Sequence, residues 1–302
     1  QAIAQIQASG PIDLLLILQI TFTDATMTVK LAREATTPIA IWAVPEPRSG
    51  GRLRLNAYCG LNLAAHALGR AGVPHGWLYA DPDAPGLAED LRALAKPASV
   101  VPTRARSVAS SQDAKADRAL DSLAGSSITV VGKHPDGLDT CEYDGDLLLK
   151  LAGMKVETVQ LGQLFDKARG IDATRVGGVK ASVQTELDGL DGVNQEQLDK
   201  SFRVFCALED VQRESGAKGL AVRCWPEMFT EYGCAACGPM AMMNQKSVPS
   251  ACEADVNGSI SQLMLQELAG EPAWMADLVD ITPADDTAVL WHCGLAPLSM
   301  RD

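Results

Sequence analysis

Apolar and polar positions alternate along this chain in blocks whose period switches between two and about three and a half. Short apolar runs fall at 12–20 ("IDLLLILQI"), 38–44 ("PIAIWAV"), 75–80, 127–132 ("SITVVG"), 154–160 and 219–225, each with strand length. Between them, amphipathic patterns predict helices near 24–36, 57–72, 84–97, 107–123, 142–152 and 196–216. Strands that alternate with helices predict parallel sheets covered by helices, an α/β fold of two Rossmann-like open-sheet domains. The polar stretch 101–118 reads as a domain joint, and the Gly/Asp-rich stretch 186–194 as a long loop. The expected division is 1–105, an N-terminal α/β domain, then 106–247, a middle α/β domain, then 248–302, the start of something different. There is no internal repeat and no low-complexity segment.

Composition narrows the function. The chain has 302 residues, is 47% hydrophobic and 21% charged, and has the balance of a folded protein rather than a disordered one. Its 26 basic and 38 acidic residues give a net charge of −12, so the average field repels nucleic acid and anionic membranes. A small neutral or metal-bound ligand fits that field better. The longest apolar run is too short for a membrane span, and residues 1–11 lack a signal-peptide pattern. Eight cysteines without regular spacing argue for reduced thiols over a disulfide scaffold, so the expected location is the cytoplasm.

The chemistry concentrates after residue 220. Here "LAVRCWPEMFTEYGCAACGPMAMMNQKSVPSACEADVNGSISQLMLQELAG" and "TAVLWHCGLAP" hold Glu227, Glu231, Glu253, Asp255, His292 and five of the eight cysteines. Three readings compete for this segment. Cys234 and Cys237 form a C-x-x-C, with Cys224, Cys252 and Cys293 near them in sequence, which suits a structural zinc site but lacks a second ligand pair. Small residues packing a helix closely against a neighbour account for the same cysteines without a metal. Glu253 and Asp255 are also ordinary first-turn acids for a helix at 256–269. The third reading is an oxygen-rich divalent cation site of Glu231, Asp255 and His292, leaving positions open for two sugar oxygens. Trp225 offers an aromatic face to a sugar ring, and Arg223 either pairs with Glu227 or reaches an anionic substituent. His66, His75 and His134 read as structural, and "VVGKHPDG" lacks a nucleotide-binding pattern.

"RCWPEM", "ACEADVNG" and "WHCGLAP" resemble the L-fucose isomerase family, in particular its L-fucose isomerase-like branch. Weaker matches at "IAIWAVPEP", "GGRLRLNAYCG" and "VVGKHPDGLDTCEYD" extend the resemblance over nearly the whole chain. The resemblance implies a metal-dependent aldose–ketose isomerase working through a cis-enediol, with Mn2+ or Mg2+ as cofactor. It implies that Asp255 and Glu231 are both metal ligands and proton-transfer groups, and that His292 is the third ligand. Trp291 stands where fucose isomerase has an Asn that contacts substrate, so Trp291 joins Arg223 and Trp225 as a substrate-binding candidate. Family members continue into a β-rich C-terminal domain and begin with an earlier strand and helix. The chain is therefore expected to be part of a longer protein that works as a homo-oligomer on a small sugar. A non-catalytic sugar binder or sensor is the alternative, and so is a zinc protein with cysteine ligands.

Overall fold

The computed structural model describes residues 2–50, 53–96 and 114–301. They fall into two compact units. The first takes the residues up to position 96 together with Asp136–Thr140 and Asp277–Trp291, and the second takes the remainder.

In the first unit the order is α1 (Ala2–Ala8), β1 (Leu15–Gln19), α2 (Thr26–Glu34), β2 (Ile39–Ala43), α3 (Ala57–Arg70), β3 (Gly76–Tyr79) and α4 (Leu87–Leu94). The three strands form one parallel sheet in the order β1-β2-β3. Ile39, Ile41 and Ala43 of β2 pack on Ala32 of α2 and on Ala57, Leu61, Ala64 and Leu68 of α3, all of them buried. The loop that opens α3 is held by one side chain. Both carboxylate oxygens of Glu46 accept backbone N–H groups, from Leu55 at 3.0 Å and Asn56 at 2.9 Å among others, where a helix start leaves its donors unpaired.

The second unit runs α5 (Ala114–Leu123), β4 (Ser127–Val131), α6 (Gly145–Ala152), β5 (Lys155–Val159), α7 (Leu161–Gly170), α8 (Ala173–Gln184), α9 (Gln195–Ser215), β6 (Gly219–Val222), α10 (Cys237–Gln245), β7 (Ser250–Ala251) and α11 (Val256–Ala269). Its sheet is parallel throughout, in the order β5-β4-β6-β7. Side chains alternate across it with period two. Val131, Leu220 and Val222 face a core shared with α7, α9 and α10. Ile128, Val130 and Ala221 face the opposite core, closed by Leu123 of α5 and by Val256 and Leu263 of α11. Burial on both faces explains why these strands read as continuous apolar runs. A last antiparallel pair, β8 (Asp277–Thr282) and β9 (Thr287–Trp291), groups with the first unit.

The α/β class and all six expected strands are present, each within a few residues of its expected bounds. Helices α7 and α8 are not among the expected elements: α7 is a short helix that buries Leu164, Phe165 and Ala168, and Gly177 and Gly178 lower the propensity of α8. Positions 101–113 of the expected joint lie outside the described residues. From 248 onward, where a separate domain is expected, β7 extends the second sheet and α11 covers it, while 277–291 belongs to the first unit. No helix among the described residues is long and apolar enough to cross a membrane.

Gly219 opens β6, and a Cβ placed there would lie 2.7 Å from Ser259 Oγ, 3.0 Å from Ile128 Cδ1 and 3.1 Å from the Pro249 carbonyl. Gly219→Ala is therefore expected to destabilise the protein by about 1–3 kcal/mol, read as a lower midpoint in thermal or urea unfolding.

Candidate functional site at the strand ends

Three strands of the second sheet, β4, β6 and β7, end side by side, and the sequence stretches singled out above leave from their carboxyl ends. β4 runs into Gly132-Lys133-His134, β6 into Arg223-Cys224-Trp225, and β7 into Cys252-Glu253-Ala254-Asp255. In an open parallel sheet these ends carry loops rather than ladder partners, so their side chains are available for a ligand. The peptide between Trp225 and Pro226 is cis.

Arg223 turns back along its own loop. Its Nε donates to Glu227 Oε2 at 2.6 Å and its Nη2 to Glu227 Oε1 at 2.9 Å, a two-pronged ion pair, while Nη1 donates to the Lys133 carbonyl at 3.0 Å. Of the two expectations for Arg223, pairing with Glu227 is the one observed. The guanidinium holds the Glu227 carboxyl below its ordinary value. Trp225 is partly buried, and its Nε1 donates to Glu253 Oε1 at 3.5 Å.

Asp255 is the N-cap of α11: its Oδ1 accepts the Gly258 N–H at 2.9 Å. The glycine is needed, since a Cβ there would sit 2.7 Å from Asp255 Oδ2. Burial pushes the Asp255 carboxyl up, against the opposing pull of the Gly258 and Asn257 N–H groups and the charge of His134. A helix cap and a desolvated carboxylate thus coincide in one residue. Just before it, Glu253 and Ala254 both take left-handed backbone angles, with φ of 58° and 54°, which non-glycine residues adopt at a cost of roughly 1–3 kcal/mol each. Glu253 is therefore not a first-turn residue of the helix. It stands ahead of the cap, with Oε2 accepting a long contact from Cys141 Sγ at 4.0 Å.

Glu231 lies exposed on a π-helical turn, Met228–Tyr232. His292 follows β9, and its neighbours are sulfurs: Nδ1 is 3.7 Å from Cys293 Sγ, and its charge reaches Cys237. The imidazole whose charge reaches Asp255 is that of His134. Among the described residues no three His, Cys, Asp or Glu side chains are placed as a group that could hold a metal ion, so Glu231, Asp255 and His292 do not form one ready ligand set. Trp291 ends β9 in the first unit, where with Glu46, Arg48, Leu53 and Asp280 it lines a cavity of about 300 Å³.

The five cysteines of this segment divide. Cys234 is buried apart, its thiol pushed up to about 11 by desolvation. The other four form a chain of sulfurs, with Cys224 and Cys252 at 2.7 Å, Cys252 in hydrogen-bonding contact with Cys237, and Cys237 and Cys293 at 3.3 Å. Hydrogen bonds from Cys252 and Cys293 pull the Cys237 thiol far down, and the same bonds push both donors up. The C-x-x-C spacing of Cys234 and Cys237 thus pairs neither residue with the other. The cluster is assembled from residues up to 69 positions apart, and only their shared segment signalled it.

These elements define an α/β protein with its candidate site at the carboxyl ends of a parallel sheet. Residues 1–103 match the family described as "Fucose/sulfoquinovose isomerase, N-terminal domain". Over 97% of its length the chain is 29% identical to the sulfoquinovose isomerase of Alkalicoccus urumqiensis, covering 62% of that protein. Over 95% it is 28% identical to the sulfoquinovose isomerase of Clostridium sp. (strain MSTE9), covering 60%. The chain is thus similar to fucose and sulfoquinovose isomerases, in the direction its motif stretches implied, and spans about three fifths of the length of these curated relatives.

Two outcomes test this geometry. Glu227 has a folded value below its unfolded one, so its ion pair stabilises the protein above the unfolded carboxyl value and that contribution is lost as pH falls. Glu227→Gln is expected to lower the unfolding midpoint at neutral pH, with the gap to the wild type closing as pH falls below the ordinary carboxyl range, in paired melts across pH. Asn244, only 2% exposed, accepts the Ser250 N–H at 2.7 Å and donates to the Leu295 carbonyl at 3.0 Å. Asn244→Ala leaves both groups buried and unpaired, and scanning calorimetry is expected to give a midpoint lower by roughly 5–10 °C.

Proposed function

We propose that the chain is part of an aldose–ketose isomerase whose substrate is a sugar bearing an anionic group, with a sulfonated aldose such as sulfoquinovose as the leading candidate. The observation that carries this reading is the meeting of Asp255, the Arg223–Glu227 pair, Trp225 and His134 at the ends of β4, β6 and β7. The relatives named for sulfoquinovose supply the substrate class. A net charge of −12 repels an anionic sugar from the surface at large, so local cations at the strand ends would have to receive it.

In this reading Glu231, Asp255 and His292 hold a divalent cation, Mn2+ first and Mg2+ second, a donor set of two carboxylates and one imidazole that suits a hard ion. The desolvation of Asp255 favours it, because a bound cation would offset the cost of keeping that carboxylate ionised while buried. When bound, the cation supplies positive charge against the negative charge that develops on the sugar oxygens as the enediol forms. Glu231 and Asp255 serve as base and acid, one taking the proton from C2 and the other returning one at C1. Trp225 offers its face to the sugar, Trp291 remains a further candidate for contact with it, and Arg223 would meet the sulfonate only by exchanging its bond with Glu227. The working protein is a homo-oligomer of the cytoplasm.

The unassembled state of the three ligands favours a second reading, a sugar-binding protein without turnover. Turnover separates the two. The complete protein, stripped with chelator and reloaded with Mn2+, is expected to convert sulfoquinovose to its ketose, followed by NMR of the sugar protons. Asp255→Asn is expected to abolish conversion, by about 100-fold or more, while unfolding stays within about 1 kcal/mol, because Asn caps a helix as well as Asp does. Full activity after exhaustive chelation, or normal rates in Asp255→Asn, would overturn the catalytic reading.

A further inference from the structure

The four-sulfur chain has no part in that chemistry, and its geometry raises a separate question. Cys293 is exposed, whereas Cys237, Cys252 and Cys224 are buried in that order behind it. Cys293 and Cys237 belong to segments locked against each other. Between them Gly294 approaches so closely that a Cβ on it would lie 2.3 Å from Cys237 Cβ, Leu295 is fully buried, and its carbonyl is bound by Asn244 of α10. The 3.3 Å between Cys237 and Cys293 sulfurs is therefore held by packing, and a movement of about 1 Å brings them to the ~2.05 Å of a formed bond. Among the described residues no group of three or more His, Cys, Asp or Glu side chains is placed to hold a metal ion.

We propose that Cys237 and Cys293 are a reversible disulfide site oxidised by small hydroperoxides, with the Cys224–Cys252 pair as the interior acceptor of the bond. In the first step one sulfur of the pair, as its thiolate, attacks the outer oxygen of the peroxide; the O–O bond breaks, that sulfur becomes a sulfenic acid, and the other oxygen takes up the proton and leaves as an alcohol or water. In the second, the other sulfur of the pair attacks the sulfenic sulfur, the S–S bond forms, and the hydroxide leaves as water with the proton of the thiol. Two thiols lose two electrons and two protons, and one peroxide is reduced. Exchange then moves the bond inward: Cys252 attacks Cys237 and releases the Cys293 thiol, then Cys224 attacks Cys252 and releases Cys237. The outer bond ties the segment that carries His292 to α10.

The full chain, reduced and then treated with hydrogen peroxide, is alkylated under denaturing conditions, digested and mapped by mass spectrometry. The expected products are peptides linked through Cys237–Cys293 or Cys224–Cys252, each lighter by two hydrogens and each reopened by dithiothreitol. Cys59 and Cys206 are expected to alkylate equally before and after. Cys293→Ser is expected to slow formation of either bond by about tenfold or more, and the Cys59→Ser control to leave it unchanged. Serine keeps the shape at both positions, and a circular dichroism melt checks that each variant folds. Full alkylation of all four cysteines after peroxide, irreversible oxidation of Cys293 alone, or zinc carried on these thiols would each overturn the proposal.

Discussion

One buried amide holds the second unit's functional segments in register. Asn244 lies on α10 among methionines, at a position where an apolar side chain would be expected, and it satisfies backbone groups of two other segments. Ser250 begins the last strand of the sheet, and Leu295 follows the His292–Cys293 pair by two residues. Hydrogen bonds inside a low-dielectric core are costly to leave unmade, so a shift of this side chain would leave the Ser250 N–H and the Leu295 carbonyl unpaired. Gln262 of α11 reaches the same amide at 3.4 Å, which brings a fourth segment into the arrangement. Where β7 ends, and hence where Cys252, Glu253 and Asp255 stand, is fixed from this point.

That interaction also marks the limit of what the chain reveals when read in order. The inner strands were legible because burial on both faces gives them a nearly uninterrupted apolar run, as in Ile39–Ala43 and Ser127–Val131, whereas the outer strand Lys155–Val159 leaves Lys155, Glu157 and Thr158 exposed. Helices with capping asparagine or aspartate and a glycine stop were legible too, as in α9, where Asn194 caps the start and Gly216 ends it at φ 64°. Helix α8 was not, because Gly177 and Gly178 interrupt a helix whose buried face is only Val176, Val179 and Val183. Asp255 was legible as a cap and as a candidate ligand at once; the structure shows the cap, made by a carboxylate that burial pushes up.

The rest of the site was hidden because it depends on pairs remote in sequence. Nothing near His134 signals that it will stand by Asp255, 121 positions on; the two come together because β4 and β7 flank β6. The sulfur chain is hidden for the same reason. A C-x-x-C spacing pointed to Cys234, yet that residue faces the core with Met228 and Tyr232, while its partner in the motif turns toward Cys252 and Cys293. Short motifs report on local spacing, and here the bonding partners of Cys237 come from segments remote in sequence.

Two local costs fall on adjacent residues. The left-handed backbone at Glu253 and Ala254 stores conformational free energy, and the burial of Asp255 stores electrostatic free energy. A chain concerned only with stability could relieve the first with glycine and the second with asparagine or serine, both good caps. Keeping glutamate and alanine left-handed leaves the turn with a side chain that meets Trp225, and keeping aspartate leaves a carboxylate where an amide would cap as well. Strain and desolvation on adjacent residues are what a site needs if a ligand is to find its partners already aimed and poorly solvated, since the ligand then replaces water that the fold has already excluded. The interactions that fix β7 from Asn244 outward are what allow these costs to persist instead of relaxing.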